Sequence, residues 1–200
     1  MNRGIAEYDE KYTRYQADRG AFRRCIRRLY LRRTLRRIQG RTIDFGCGIG
    51  ELLSLLPPGS VGYEVNEATV CYCRESGLNV RLYRPDEDHY ELKDCREGQF
   101  ETFVMMHVLE HLPEAPEILR TLARSCARLG IRRMILVIPG WKGFLHDPTH
   151  AVFVNRSFLE TQGLTSMEGY RIVETSFFPI PREWGGRAFP HNEMSVVYDR

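Results

Sequence analysis

Short apolar, β-branched runs alternate with helix-like stretches from residue 41 onward. The runs "RTIDFG" and "SVGYEV" predict two buried strands, and the stretches that follow them, "IGELLSLL" and "NEATVCYCRESG", have the apolar spacing of helices. Gly77 closes the second helix, because glycine favours the left-handed conformation that often follows a helix. Two strand–helix units in succession predict a parallel sheet.

The same alternation continues to the last residues. Three further strands are predicted in "NVRLYR", "ETFVMMHV" and "RRMILVIP". Two helices are predicted in "PEAPEILRTLARSCARLG" and "NRSFLETQGL", the second with Asn155 as its N-cap. The final strands "YRIVETSFF" and "EMSVVYD" are joined by the Pro- and Gly-rich "PIPREWGGRAFPHN". The pattern as a whole predicts an open α/β domain with a late hairpin.

In such a sheet, ligands bind beyond the carboxyl ends of the strands. The polar segments that leave those ends are Asp44 to Gly50, Glu64, the loop after the third strand, His107 to His111 and the segment after Pro139. We therefore expect five regions of the chain to meet at one crevice. Four aromatic residues lie near these segments in the sequence, and they form either an apolar wall around the bound ligand or part of the core: Trp141, Phe144, Trp184 and Phe189.

An arginine-rich stretch precedes the first strand. Its apolar residues form two runs with spacings of three or four positions, which predicts an amphipathic helix: Phe22, Ile26 and Leu29, and then Leu31, Leu35 and Ile38. Residues 1–41 hold 13 basic and four acidic residues, although the net charge of the chain is only +3. We read residues 1–40 as a basic helical cap and 41–200 as the main domain. A helix of this kind can bind RNA, an anionic membrane surface or a phosphorylated substrate. Alternatively, its arginines are exposed to solvent and bind no partner.

Composition narrows the class of protein. A chain of 200 residues with 42% hydrophobic residues is large enough for one domain with a substantial core. No apolar run approaches the ~18 residues that span a bilayer, and the first residues lack a secretory signal, so we expect a cytoplasmic protein. The six cysteines contain no Cys-x-x-Cys pair, and we expect reduced thiols.

The glycine loop "DFGCGIG" follows the first strand and leads towards a helix, so its backbone can approach a ligand closely. The spacing Gly46, Gly48, Gly50 departs from the dinucleotide fingerprint, which would need glycine where Glu51 stands. Asp44 lies before the loop, and Glu64 ends the second strand, where an acid can bind both ribose hydroxyls. Two acids favour a ribose-bearing, positively charged cofactor over a nucleotide.

The motifs "DFGCGIG", "GYEVN" and "HVLEHLPE" together resemble those of class I S-adenosylmethionine-dependent methyltransferases, over about residues 41–178. The resemblance implies a Rossmann-like, seven-stranded, mostly parallel sheet with a C-terminal antiparallel hairpin and helices on both faces. It also implies S-adenosylmethionine as cofactor, with His107 near its methionine portion and these residues around it: Asp44, Gly46, Gly48, Gly50 and Glu64. The third motif departs from the family pattern, and either Asp86 or Asp88 of "LYRPDEDHYEL" is a candidate for the adenine.

A metal is not expected to be required. "HVLEH" matches a zinc-protease pattern, but that pattern needs one helix to carry both histidines, and His107 ends a strand. Histidine in place of an acid at this position makes a hard cation less favourable. Whether a divalent cation binds near Glu110 and His111 stays open.

The segment "GFLHDPTHAVF" contains His146, Asp147 and His150. The resemblance places it over the methyl acceptor and matches His150 to a family position. A histidine with a pKa near ~6.5 is a suitable base for a hydroxyl group. We expect His150, His146 and Asp147 to be the catalytic residues; the alternatives are a structural role for His150 and a turn role for Asp147.

The predicted function is methyl transfer to a hydroxyl oxygen of a small or glycan-linked acceptor. RNA methylation through the arginine-rich helix is one alternative, although no Asn-Pro-Pro-Tyr type signature follows the fourth strand. A non-catalytic, cofactor-binding regulatory protein is another. The intact loop and Glu64 argue against that second alternative, because a degenerate site need not keep them.

Overall fold

The computed structural model describes residues 21–200, with side chains from Arg28 onward. Its strands are β1 (Thr42–Phe45), β2 (Val61–Glu64), β3 (Val80–Leu82), β4 (Thr102–Met106), β5 (Arg133–Pro139), β6 (Ser166–Met167), β7 (Tyr170–Phe178) and β8 (Glu193–Asp199). Its helices are α1 (Ala21–Leu35), α2 (Glu67–Glu75), α3 (Pro85–Asp88), α4 (Ala115–Arg128), α5 (Trp141–His146), α6 (Arg156–Thr161) and α7 (Gly185–Ala188).

All eight strands form one sheet in the order β3-β2-β1-β4-β5-β8-β7-β6. Strands β1 to β5 pair in parallel, whereas β8 is antiparallel to both β5 and β7. The predicted Rossmann-like sheet with a late antiparallel hairpin is thus confirmed. The order reverses direction between β1 and β4, which is where open α/β sheets bind ligands.

The strand count of seven is wrong by one. The extra strand, β6, has two residues and pairs with the start of β7. Glu168 and Gly169 between them both have positive φ, of 51° and 87°, which is the geometry of a two-residue hairpin turn. The sequence pattern misses this strand because two residues are too few to show an alternation.

Helices cover both faces of the sheet, as predicted. Alternate residues of a strand point to opposite sides of the sheet, so apolar residues on both sides must be covered. On one face, Phe103 and Leu136 pack in the larger core cluster with residues of α4. On the other face, Val104 and Ile135 pack with Leu31 of α1. Strand β5 is buried from Met134 to Pro139, which explains its continuous apolar run.

Helix α1 confirms the predicted helix over Ala21–Leu35 and packs on the sheet through Leu31, which is 4% exposed. Leu29, predicted in the apolar stripe, is instead 48% exposed, while Tyr30 is buried. Arg37, just beyond the helix, pairs with Glu174 of β7, and the Arg33 guanidinium lies 4.7 Å from the centre of the Phe178 ring. Residues 1–20 of the predicted cap, and the side chains of Phe22 and Ile26, lie outside the described part.

Local signals predict most of the remaining elements. Asn66 caps α2 by accepting hydrogen bonds from the backbone N–H groups of Ala68 and Thr69, and Gly77 follows the helix at φ 77°. Asn155 caps α6. The predicted helix in "IGELLSLL" is only a 3₁₀ turn, Leu53–Leu55. None of the helices within residues 21–200 is long and apolar enough to cross a membrane.

The described cysteines are free thiols, in agreement with the sequence prediction: Cys47, Cys71, Cys73, Cys95 and Cys126. Cys71 is exposed and Cys73 is buried on α2, so they lie on different faces of that helix.

Candidate active site

The glycine loop lies at the carboxyl end of β1, and its three glycines adopt positive φ angles of 73°, 52° and 76°. A β-carbon added to Gly46 would come within 2.3 Å of Cγ2 of Val108, the residue after His107. A side chain is therefore excluded at Gly46, where the loop packs closely against the turn after β4. Asp44 is buried at the end of the same strand.

Glu64 connects the end of β2 to this loop. Its Oε2 accepts a hydrogen bond from the Gly48 N–H at 2.9 Å, and its Oε1 accepts two, from Val65 and Asn66. Burial raises the pKa of Glu64, and the three backbone donors oppose that shift. The carboxylate is thus fixed beside the loop, where the sequence predicts that the ribose binds.

The loop after β3 distinguishes the two adenine candidates. Asp88 accepts hydrogen bonds from the Tyr83 hydroxyl at 3.0 Å and from the backbone N–H groups of Leu92 and Lys93. This carboxylate therefore holds its own turn together. Asp86 is exposed on α3 and is the better candidate for a contact with the adenine.

His107 lies between two carboxylates at the end of β4. Its Nε2 donates to Oε1 of Glu193 at 2.9 Å, and its Nδ1 lies 3.4 Å from Oε1 of Glu110. Burial disfavours the charged ring, but the two carboxylates outweigh burial and raise the pKa of His107 to about 10. The ring is therefore an imidazolium at neutral pH, and φ of 55° shows that the backbone here is in the left-handed region.

Glu193 is absent from the sequence-based site. It is the first residue of β8, and β8 runs antiparallel to β5, so its first residue lies at the crevice edge beside Pro139. The late hairpin is the signal that could have placed it there. Without the tertiary structure, however, nothing connects Glu193 to His107, which is 86 positions earlier.

Glu110 joins the turn after β4 to the histidine segment. Its backbone carbonyl accepts hydrogen bonds from the N–H groups of Ala151 and Val152 at 2.7 and 3.0 Å. The side chain is 0% exposed, and its two carboxylate oxygens accept no hydrogen bond from any of the described residues. A buried carboxylate with this environment needs a nearby positive charge, which the imidazolium of His107 supplies.

His111 and His150 face each other beside Glu110, with ring centroids 4.6 Å apart. His150 Nδ1 lies 2.8 Å from the carbonyl oxygen of Phe144, so this nitrogen carries the proton. His111 Nδ1 lies 3.0 Å from Oγ1 of Thr149, whose own proton goes to Asp147, so His111 Nδ1 is the donor as well. In the neutral form of each ring the lone pair is therefore on Nε2.

The two rings are close to the buried carboxylate. His150 Nε2 lies 3.8 Å from Oε1 of Glu110. Burial lowers the pKa of His111, and His150 lowers it further against the attraction of Glu110. One ligand atom from each of these three residues lies within 4.8 Å of the others, so the group could hold either a shared proton or a metal ion.

The other two predicted catalytic residues are placed differently. His146 ends α5, is exposed and is not part of this group. Asp147 accepts hydrogen bonds from the backbone N–H and hydroxyl of Thr149, which lower its pKa against the opposing effect of burial. Its Oδ2 lies 4.0 Å from Nε2 of His150. The neighbour of His150 is thus His111 rather than His146.

A cavity of about 320 Å³ opens beside Glu193. Its lining includes Trp141 and Trp184, two of the four aromatic residues expected near the crevice. Phe144 lies instead against the His150 ring, at 5.4 Å and 17°. Phe189 makes an edge contact with His191.

A chain with this sheet order, and with a glycine loop tied to an acid at the end of the second strand, is a class I S-adenosylmethionine-dependent methyltransferase. The methyltransferase-domain family model matches residues 15–163, about three quarters of the sequence. The chain therefore belongs to that family: it is an enzyme, and S-adenosylmethionine is its cofactor.

Individual relatives are more distant. A ubiquinone biosynthesis O-methyltransferase of Methylococcus capsulatus is 29% identical over 96 residues, a match that spans 44% of this chain but only 38% of the relative. An S-adenosylmethionine-dependent methyltransferase structure from Archaeoglobus fulgidus is 22% identical, with a TM-score of 0.70 over 96% of this chain and 100% of that one. Magnesium protoporphyrin IX methyltransferase from Synechocystis, solved with the cofactor bound, is 15% identical, with a TM-score of 0.56 over 100% and 86%. These structural likenesses concern the fold.

Proposed function

We propose that the enzyme transfers a methyl group to a hydroxyl oxygen of a small or glycan-linked acceptor. The observation that carries this proposal is the pair His111 and His150. The hydrogen bonds at Nδ1 of each ring leave Nε2 free to accept a proton. A hydroxyl group must lose its proton during transfer, whereas a neutral amine can attack without a base. The partial match to an O-methyltransferase is in agreement with oxygen as the acceptor atom.

The cofactor would be held by residues of the glycine loop and by the acids around it. Glu64 would bind the ribose hydroxyls, and the residues closest to the remainder would be Asp44, Gly46, Gly48, Gly50 and His107. Only glycine fits at position 46, because a β-carbon there would collide with Val108, and this fixes the path of the loop beside Glu64. When bound, S-adenosylmethionine supplies a methyl group on a cationic sulfur, which keeps the bond electrons and becomes a neutral thioether.

The protein's part in the step is to orient the acceptor and to take its proton. As the acceptor oxygen forms its bond to the methyl carbon, its proton passes to Nε2 of His150. Glu110, 3.8 Å away, stabilises the imidazolium that results, and Asp147, at 4.0 Å, adds to this stabilisation. The Phe144 carbonyl keeps Nδ1 protonated throughout and fixes the ring orientation. No metal ion is required by this mechanism.

His150→Gln tests the assignment. We expect the turnover rate to fall by ~10²–10⁴ while cofactor affinity, measured by calorimetry, stays unchanged, because the base does not bind the cofactor. His146→Gln is the matched control, since His146 is exposed four residues away and should retain the parent's rate. A His150→Gln enzyme as fast as the parent would rule out this base. Loss of parent activity with a chelator, restored by a divalent metal, would show that the histidines bind a metal instead.

RNA is a second acceptor class, supported by the exposed Arg28 and Arg32 on α1. If α1 binds RNA, affinity should fall steeply with salt, and replacing these two arginines by glutamine should flatten that dependence. Salt-insensitive, weak binding would leave the arginines as a solvated face.

A further inference from the structure

The cavity beside Glu193 exists because two short helices approach each other through glycines. A β-carbon on Gly140 would lie 2.6 Å from both the Gly186 Cα and the Asn192 carbonyl oxygen. Gly140 directly precedes Trp141 at the start of α5, and Gly185 directly follows Trp184 at the start of α7. The close backbone contact therefore brings two tryptophans that are 43 positions apart in the sequence to the same cavity.

These tryptophans are unusually exposed for their size. Trp141 is 41% and Trp184 is 62% exposed. Phe153, which also lines the cavity, supports the Trp141 ring from the side with an edge contact at 4.9 Å. Large apolar rings at a concave surface mark a binding site, since packing alone would bury them.

Glu193 supplies a fixed polar group on the cavity lining. Its side chain is 17% exposed, and one oxygen accepts the hydrogen bond of the His107 ring. A carboxylate has about four lone-pair sites, so this bond leaves capacity for further donors. His107 is held in turn by Glu110, so the orientation of Glu193 is set from the protein side.

The charges around the cavity balance. Glu183 and Arg187 carry opposite charges on its lining, and the charge of Glu193 is opposed by the His107 imidazolium. A strongly anionic ligand would meet the carboxylates of Glu183 and Glu193, and a strongly cationic one would meet the guanidinium of Arg187. The site therefore suits an uncharged ligand that has an apolar face and several hydrogen-bond donors.

We propose that this cavity is the acceptor subsite, that it holds an uncharged sugar ring against Trp141 and Trp184, and that Glu193 binds the ring's hydroxyl groups. The C–H face of a sugar packs on indole rings, while its hydroxyl groups can donate to a carboxylate. About 320 Å³ is near the lower limit of ligand pockets, which suits one or two rings rather than a longer chain inside the cavity. Only the statement that this sugar is the methyl acceptor rests on the function proposed above.

Binding of simple probes tests the site directly. The full-length protein, saturated with S-adenosylhomocysteine, is titrated with a panel of methyl hexopyranosides, the corresponding hexuronates and phenol. Binding is followed by saturation-transfer NMR and tryptophan fluorescence. We expect a methyl hexopyranoside to bind and to change the tryptophan emission, and we expect the hexuronate and phenol to bind at least several-fold more weakly.

Three variants show which residues carry the binding. Glu193→Gln should weaken binding of the hexopyranoside by roughly tenfold or more, because a charge-assisted hydrogen bond is lost. Trp184→Ala should have an effect of similar size, and this exposed side chain can be removed without disturbing the core. Glu168→Gln makes the same change of charge at an exposed residue that does not line the cavity, and it should bind as the parent does.

The outcomes separate this proposal from the proposed reaction. Unchanged hexopyranoside binding in Glu193→Gln and Trp184→Ala, or stronger binding of phenol or of the hexuronate, would overturn the sugar subsite while cofactor binding remains. If Glu193→Gln does not fold, Trp184→Ala and the probe preference still decide the matter. Sugar binding that depends on both residues, without methylation of any hydroxyl group, would support the subsite and contradict oxygen methylation.

Discussion

At the scale of single residues, the site depends on backbone conformations that few side chains tolerate. Gly46 is at φ 73° and has no room for a β-carbon beside Val108, and His107 is at φ 55° although it is not a glycine. Left-handed backbone at a non-glycine residue is costly and persists only where surrounding contacts hold it. Here the contacts are the hydrogen bond to Glu193 and the ion pair with Glu110.

Alanine substitutions at two glycines with nearly equal φ distinguish the cost of a steric clash from the cost of backbone strain. Gly46→Ala adds a β-carbon 2.3 Å from Val108, whereas Gly98→Ala, at φ 74°, has no atom within 4 Å of the new carbon. Gly98→Ala should therefore cost only the ~1–2 kcal/mol of left-handed backbone. Gly46→Ala should lose more stability and at least tenfold in cofactor affinity, measured by urea unfolding and calorimetry. Equal losses in the two variants would contradict a close packing role for Gly46.

At the scale of elements, helix α1 shows that an arginine-rich helix can be part of the fold. It packs on the sheet face formed by Val104, Ile135, Val137 and Val197. Tyr30 also donates a hydrogen bond to the carbonyl of His191, next to the cavity loop, at 2.8 Å. The helix therefore supports the loop that carries Trp184, whatever its exposed arginines contact.

Neighbouring leucines on α1 provide an internal comparison. Leu31→Ala removes a side chain that is 4% exposed and should lower the free energy of unfolding by about 2–4 kcal/mol. Leu29→Ala, at 48% exposure, should change it by less than about 0.5 kcal/mol. Both values come from urea unfolding followed by circular dichroism. A small loss for Leu31→Ala would mean that α1 is not docked on the sheet as described.

At the scale of the whole molecule, we expect the bound cofactor to stabilise the parallel half of the sheet against unfolding. Glu64 on β2 binds the loop that follows β1, so a ligand bound to both stabilises their mutual position. A ligand at 100 times its dissociation constant raises the free energy of unfolding by about 2.7 kcal/mol, provided that it binds only the folded state.

Glu64→Ala should reduce this effect. We expect cofactor binding to weaken by roughly 1–3 kcal/mol, because charge-assisted hydrogen bonds to the ribose are lost. The rise in melting temperature that S-adenosylmethionine gives the parent should shrink accordingly. The variant's own melting temperature without cofactor is the control, since Glu64 also accepts three backbone hydrogen bonds. An undiminished rise would place the ribose elsewhere.

The sequence by itself determined most of the elements and the glycine loop, because these depend on neighbours within a few residues. Apolar alternation marked seven of the eight strands, Asn155 marked the start of a helix, and glycine spacing marked the loop. The weakest local signals failed: β6 is only two residues long, and "IGELLSLL" forms a single 3₁₀ turn.

The tertiary structure alone decided which polar side chains meet. His150 lies beside His111, 39 positions earlier, rather than beside His146, because Glu110 binds the backbone of residues 151 and 152. Glu193 reaches His107 because the last strand runs antiparallel, which brings its first residue to the crevice edge. Long-range contacts of this kind depend on sheet order and strand direction, and no local pattern encodes the distance between two side chains. The same reason explains why the cavity between Trp141 and Trp184 is visible only in the folded chain.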